Sequence, residues 1–288
     1  MKLVRWGAPG AEQPGLVDDG GCIRSLVGVI DDVAGAALLP ESLARLRQLD
    51  PAALPAVEPG VRLGPCVGNV GKLIGLGLNY SDHAAECGME PPPEPVVFMK
   101  ATSAICGPND NLELPPGSEH TDWEVELAVV IGRPAKNISE NDVMEHIAGY
   151  CVINDYTERH CQLHRAGQWV KGKSFDSFAP IGPWLVTRDE ITDPQNLSLW
   201  LEIDGQTCQN GNTADMIFGV RHLVSYISRF MSLQPGDIIA TGTPSGVGMG
   251  RKPQEYLRAG QVIRAGVVGL GEQRQRVVSA ESGEAQLG

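Results

Sequence analysis

The segment TDWEVELAVVIG, residues 121–132, carries two carboxylates, Glu124 and Glu126, two positions apart. In a strand, alternate side chains share a face, so the pair would lie about 6.6 Å apart along the chain, close enough to converge on one cation. An exposed strand would instead carry them as two solvated charges. The apolar run at residues 127–131 continues as a buried strand would, which places the pair where a core opens. A third carboxylate, Asp155, stands beside Asn154 where the apolar run of YCVIND ends. Strand ends collect binding groups, although Asn and Asp also simply terminate strands. Three carboxylates with no Cys or His cluster select a hard, oxygen-seeking ion, Mg2+ or Mn2+, completed by water and substrate oxygens.

A possible general base lies in GLNYSDHAAECG. Ser81 reads as an N-cap and Gly88 as a C-terminal stop, so His83 and Glu86 fall at i and i+3 on one face of a helix shorter than two turns. An imidazole oriented by a carboxylate can activate water. The same spacing also occurs on ordinary solvated surfaces, and so short a helix needs tertiary support, as a mobile lid would. Lys171 and Lys173, in WVKGKSFDSF, could neutralise a substrate carboxylate or could be plain surface lysines. Thr243 opens the glycine-rich run GTPSGVG, which offers hydroxyl and backbone donors to an anion. No phosphate-binding G-x-x-x-x-G-K-[ST] is present. Gly75 and Gly77 followed by Tyr80 fail the dinucleotide fingerprint, and no G-x-S-x-G elbow supports serine-hydrolase chemistry.

These groups need a scaffold, and 288 residues can bury a large core without disulfides or a structural metal. Glycine (35) and proline (21) are spread evenly, which suits many short strands and turns. Residues 1–68 read as a small first unit, with strands in LVRW and CIRSLVGVI and a short helix in PESLARLRQLD. The Pro/Gly-rich connector PAALPAVEPGVRLGP ends it. From Leu73, residues 69–280 form a β-rich α/β body. Its strands are expected in LIGLGLN, PVVFMK, WEVELAVVIG, IAGYCVIND, GPWLVT, LSLWLEIDG and DIIATGT, with one helix around MIFGVRHLVSYISRF. Residues 281–288 read as a flexible tail. The seven cysteines show no C-x-x-C pair and read as reduced, mostly buried thiols. A net charge of −12 without a basic run argues against nucleic acid and anionic membranes as partners, and against a scaffold role on nucleic acid. With no apolar leader in MKLVRWGAPG and no long apolar stretch, a cytoplasmic location is expected.

In order, GLNYSDHAAE, KATSAICGPND, DWEVELAVVIG, the IND-x-x-x-R segment, GKSFDSFAPIGPWLVT and GDIIATGTPSGVG resemble the fumarylacetoacetate hydrolase superfamily over roughly residues 70–278. The resemblance implies a mixed β-sandwich roll, a homodimer or higher homo-oligomer, and Mg2+ or Mn2+ held by Glu124, Glu126 and Asp155. It places the lid dyad on His83 and Glu86 and the family's lysine on Lys173, which would serve both catalysis and substrate binding. It places the remaining substrate contacts on Arg159, Gln162 and Thr243. The expected reaction is hydrolytic carbon–carbon cleavage of a 2,4-diketo acid to pyruvate and a carboxylic acid. The chain looks most like members of this length acting on 2,4-diketo-3-deoxy-L-rhamnonate or -fuconate. The same metal and enolate could also serve a ureidoglycolate lyase, an oxaloacetate decarboxylase, or a homoprotocatechuate-pathway decarboxylase or isomerase. A non-catalytic binder of keto acids would be expected to lack the dyad or the lysine.

Overall fold

The structure, a computed structural model, describes residues 1–280, so the expected tail at 281–288 lies outside the described residues. The chain begins with strands β1 (Lys2–Trp6), β2 (Gln13–Val17) and β3 (Ile23–Ser25) and helix α1 (Pro40–Leu46). Then follow β4 (Leu73–Gly77), α2 (Ser81–Glu86), β5 (Val96–Lys100), β6 (Ile105–Cys106), β7 (Leu112–Leu114) and β8 (Thr121–Asp122). The middle supplies β9 (Val125–Ile131), β10 (Ile147–Asn154), β11 (Thr157–Glu158), α3 (Arg159–Leu163), α4 (Val170–Lys173) and β12 (Ala179–Thr187). The last third adds β13 (Ser198–Ile203), β14 (Gln206–Asn212), α5 (Val220–Phe230), β15 (Ile238–Ala240), β16 (Val262–Val267) and β17 (Gly271–Ser279).

Nine strands run β3-β2-β1-β12-β10-β9-β15-β4-β5 in one mixed sheet, with β6 joined to β12 as a tenth. A second sheet, β14-β13-β16-β17-β7, packs on it where β9, β10 and β12 meet β13, β16 and β17. The result is the strand-rich α/β architecture expected, with few helices. β9 and β10 are buried along their whole lengths, which is why both read as largely apolar runs, interrupted only by Glu126 in β9 and Asn154 at the end of β10. Residues 1–68 do not close on a sheet of their own: β1 pairs antiparallel with β12, and β1–β3 extend the large sheet.

Local differences from the sequence reading have local causes. In CIRSLVGVI only Ile23–Ser25 is strand, because the chain turns at Gly28, whose φ is +82°. Helix α5 starts at Val220 rather than at Met216, since the backbone N–H and C=O of Phe218 are both held by the Asn79 side chain. Of the cysteines, only Cys66, Cys151 and Cys161 are buried. Cys87, Cys106 and Cys208 are half-buried and Cys22 is exposed, so "mostly buried" does not hold. Among the described residues no helix is long and apolar enough to cross a membrane.

Candidate active site

Sheet register assembles the three carboxylates. In the β9–β10 pair, Glu126 lies opposite Ile153 and Val125 opposite Asn154. The Asp155 N–H donates to the Glu124 carbonyl at 2.8 Å, which extends the ladder one step and sets Asp155 across from Glu124. Glu124 and Glu126 share a face by the two-residue period of the strand. One oxygen from each of Glu124, Glu126 and Asp155 lies within 4.8 Å of the others, and all three residues are buried. Side chains complete the backbone where the strand ends: Asn154 Oδ1 accepts from the Glu124 N–H at 2.9 Å, and Gln209 Oε1 accepts from the Val125 N–H at 3.0 Å.

The surrounding cations are distributed unequally. Lys173 Nζ donates to Glu124 at 2.5 Å and to Asp155 at 2.6 Å, while Lys100 pairs with the other oxygen of Asp155 and with the Tyr156 carbonyl. Arg159 donates to Asp122 at 2.8 Å, Glu124 at 2.7 Å and Gln162 at 3.1 Å. Glu126 belongs to no ion pair among the described residues; it accepts the Gly242 N–H at 2.7 Å. That N–H is reachable because Gly242 adopts φ +97° with Asn79 pressed against it, at 2.7 Å from where a Cβ would stand. Burial would raise the Glu124 pKa, but Arg159 and Lys173 outweigh it and hold the group well below the usual range. For Glu126, burial and then the neighbouring charges of Asp155 and Glu124 push the pKa well above the usual range. Glu126 is thus a buried carboxylate that must take up either a proton or a cation, and this donor set fits a divalent ion.

A pH dependence follows. Binding an ion to the carboxylate form expels the proton held by Glu126, so affinity should rise with pH above the ordinary glutamate range, with about one proton released per ion. Calorimetric Mn2+ titrations in buffers of different ionisation enthalpy measure that number; zero release would contradict the assignment of Glu126.

Helix α2 stands over this cluster. Ser81 is its first helical residue rather than its N-cap; the cap position is Tyr80, with no side-chain cap. The expected stop at Gly88 is present with φ +68°, and N–H groups of Gly88 and Met89 close on the carbonyls of Ala85 and Ala84 in a Schellman motif. Two carboxylates dock the helix on the glycine-rich loop: Asp82 accepts from the Ser245 hydroxyl at 2.7 Å, and Glu86 from the Gly246 N–H at 3.0 and 3.1 Å. His83 is buried, and its Nδ1 stands 3.5 Å from Glu86, a long contact. Burial pulls the imidazolium pKa down, but contacts to Cys87 and Glu86 and the field of Glu124 outweigh it and push it up to about 9.

His83, Glu124, Glu126, Arg159, Gln162, Lys173 and Thr243 line one cleft of ≈ 90 Å³, open to solvent. Glu86 stands behind His83 rather than in the wall, and Asp155 lies beneath Lys173. Thr243 Oγ1 donates to the Val125 carbonyl at 2.9 Å and accepts from Gln209 at 2.7 Å. The two lysines expected in a Gly/Ser loop lie instead in the short helix α4, where Lys173 is buried on the triad and Lys171 is exposed. Sequence reasoning missed Lys100, although KATSAICGPND contains it, and missed Asp122, which ties Arg159 to the Gly248 and Met249 N–H groups. The 55-residue separation of Lys100 from Asp155 gives no local signal.

Comparison with known proteins bears on the family and the fold. The family profile described as fumarylacetoacetate (FAA) hydrolase C-terminal matches residues 72–278. A relative from Burkholderia multivorans, carrying only the provisional name of hydrolase, is 60% identical over 96% of this chain and 98% of its own. The solved fumarylacetoacetate hydrolase of Exiguobacterium antarcticum superposes with a TM-score of 0.84 at 33% identity, covering 97% of this chain and 99% of its own. A 2-hydroxyhepta-2,4-diene-1,7-dioate isomerase from Mycobacterium marinum gives 0.75 at 30%, covering 98% and 100%. A maleylpyruvate hydrolase from Sphingobium sp. SYK-6 gives 0.81 at 27%, covering 97% and 100%.

Proposed function

The chain belongs to the fumarylacetoacetate hydrolase family, and from that premise we propose that it is a divalent-metal-dependent hydrolase cleaving the C3–C4 bond of a 2,4-diketo acid to pyruvate and a carboxylic acid. The observation that carries this reading is the convergence, at one cleft, of a buried three-carboxylate cluster in which Glu126 has no ion-pair partner among the described residues and a histidine backed by a carboxylate. Mg2+ or Mn2+ on Glu124, Glu126 and Asp155 would polarise the substrate's carboxylate and 2-keto oxygens and stabilise the developing enolate.

The protein's own groups do the rest. His83, oriented by Glu86, takes a proton from water as the water oxygen attacks C4. When C3–C4 breaks, its electron pair passes to C3 and on to the 2-keto oxygen, C4 leaves as a carboxylic acid, and protonation at C3 gives pyruvate. Lys173 and Arg159 fix the carboxylates whose charge would otherwise repel an anionic substrate. Helix α2, docked through Asp82 and Glu86, holds His83 in the cleft wall. The dyad favours hydrolysis over the decarboxylase and lyase readings, because loss of CO2 needs no attacking water. Product analysis separates them: pyruvate with an equivalent of carboxylic acid supports hydrolysis, and CO2 from oxaloacetate alone contradicts it. The group beyond C4 is the remaining variable, and in the diketo-deoxy derivatives of rhamnonate and fuconate it is a 1-hydroxyethyl group. We propose a homodimer working on such small molecules in the cytoplasm.

A further inference from the structure

The two glycines of LIGLGLN that fail as a dinucleotide fingerprint have another use. A Cβ on Gly75 would lie 2.2 Å from the Phe98 ring, and one on Gly77 would lie 2.5 Å from the Trp169 ring. β4 therefore forms a side-chain-free floor on which two aromatic rings are seated, with centroids 5.5 Å apart. The inner ring, Phe98, lies under Lys173, with Nζ 4.8 Å from its centroid, so the aromatic pair starts at the carboxylate cluster and leads away from it. Leu78 and Met249 continue the wall, and Met89 and Leu163 stand at 51% and 42% exposure. Among the described residues the only Lys or Arg lining the cleft are Lys173 and Arg159, and both are already paired with carboxylates.

We infer that the outer cleft is an apolar specificity subsite for the group beyond C4, with Trp169 and Phe98 as its specificity-determining residues, and that it selects an uncharged alkyl or aryl tail over a terminal carboxylate. This rests on the diketo-acid reading above. A carboxylate at the tail would meet an apolar wall and no Lys or Arg that is free of a carboxylate partner. The 1-hydroxyethyl tail expected from the sequence resemblance would cover little of the wall, leaving exposed the apolar surface that a longer chain would bury.

The test compares kcat/KM for acetylpyruvate, hexanoylpyruvate, benzoylpyruvate, fumarylpyruvate and 2,4-diketo-3-deoxyfuconate with Mn2+. Hexanoylpyruvate should exceed acetylpyruvate by at least about tenfold, with fumarylpyruvate and the fuconate derivative both below it. Trp169→Ala should bring the hexanoyl-to-acetyl ratio close to one while leaving acetylpyruvate turnover within about threefold. Gly77→Ala, which pushes Trp169 off its seat, should lower the same ratio. A merely structural role for either position would reduce all substrates in parallel and overturn the assignment, as would a preference for fumarylpyruvate or the fuconate derivative. Calorimetric binding of 2-oxooctanoate against 2-oxoglutarate reads the subsite without turnover. Tighter binding of 2-oxooctanoate with no diketo acid cleaved would uphold the subsite and refute the hydrolase; tighter binding of 2-oxoglutarate would refute the subsite itself.

Discussion

Glu126→Gln should abolish divalent-ion binding and lower turnover by about a thousandfold or more, yet leave the metal-free protein at least as stable as the wild type. The two halves have one cause. Glu126 is the carboxylate of the cluster that has no cationic partner among the described residues, and its carboxamide keeps an oxygen for the Gly242 N–H while losing the charge. Because the folded-state pKa is raised, the folded protein holds a proton that the unfolded chain releases above the ordinary glutamate pKa. Stability contributed by that proton is complete below the unfolded pKa and is lost as pH rises towards the folded one. Glu126→Gln removes this loss, so the denaturation midpoint of the metal-free variant should change less between pH 5 and pH 8 than that of the wild type. Glu124→Gln should behave oppositely: it removes one of the two buried carboxylates that hold each of Arg159 and Lys173, leaving them only Asp122 and Asp155, and should destabilise the metal-free protein by about 3 kcal/mol. Chemical denaturation and Mn2+ titration of both variants test the pair together, and equal destabilisation would contradict the charge assignment.

His83→Asn should reduce kcat by about a hundredfold to ten-thousandfold and leave Mn2+ affinity within a few-fold of the wild type. The imidazole lies outside the three-carboxylate cluster, so its loss removes the proton acceptor and not a ligand. Against the pull of burial, the His83 pKa is pushed up to about 9, chiefly by its contacts to Cys87 and Glu86 and least by the field of Glu124, so the neutral base is the minor form at neutral pH. Turnover should therefore rise with pH along a limb below about 9, and the limb should vanish in His83→Asn. Loss of Mn2+ binding in that variant would overturn the role given to His83.

The carboxylate cluster was legible in the sequence because strand periodicity and burial are local properties. Glu124 and Glu126 share a face by spacing, the apolar run after them marks a buried strand, and Asp155 marks the end of the next one. The charge balance was not legible, since it depends on which distant cations arrive. Lys100 and Lys173 both reach Asp155, while Lys171, two residues from Lys173, points to solvent. The C-terminal strands were missed for a related reason. β17 alternates correctly, but its inward positions include Gln273 and Gln275, buried on the Val152 and Pro180 carbonyls and the Tyr156 hydroxyl, so a search for apolar alternation passes over it. The seats at Gly75 and Gly77 exist only relative to Phe98 and Trp169, which come from elsewhere in the chain.

The most direct measurement follows pyruvate, carboxylic acid and CO2 from acylpyruvates, diketo-deoxy sugar acids and oxaloacetate, and urea with glyoxylate from ureidoglycolate, with Mg2+, Mn2+ or EDTA. The account predicts equimolar pyruvate and carboxylic acid from at least one 2,4-diketo acid, lost with EDTA and restored by Mn2+ or Mg2+. Carbon dioxide from oxaloacetate or urea from ureidoglycolate, with every diketo acid left intact, would contradict it.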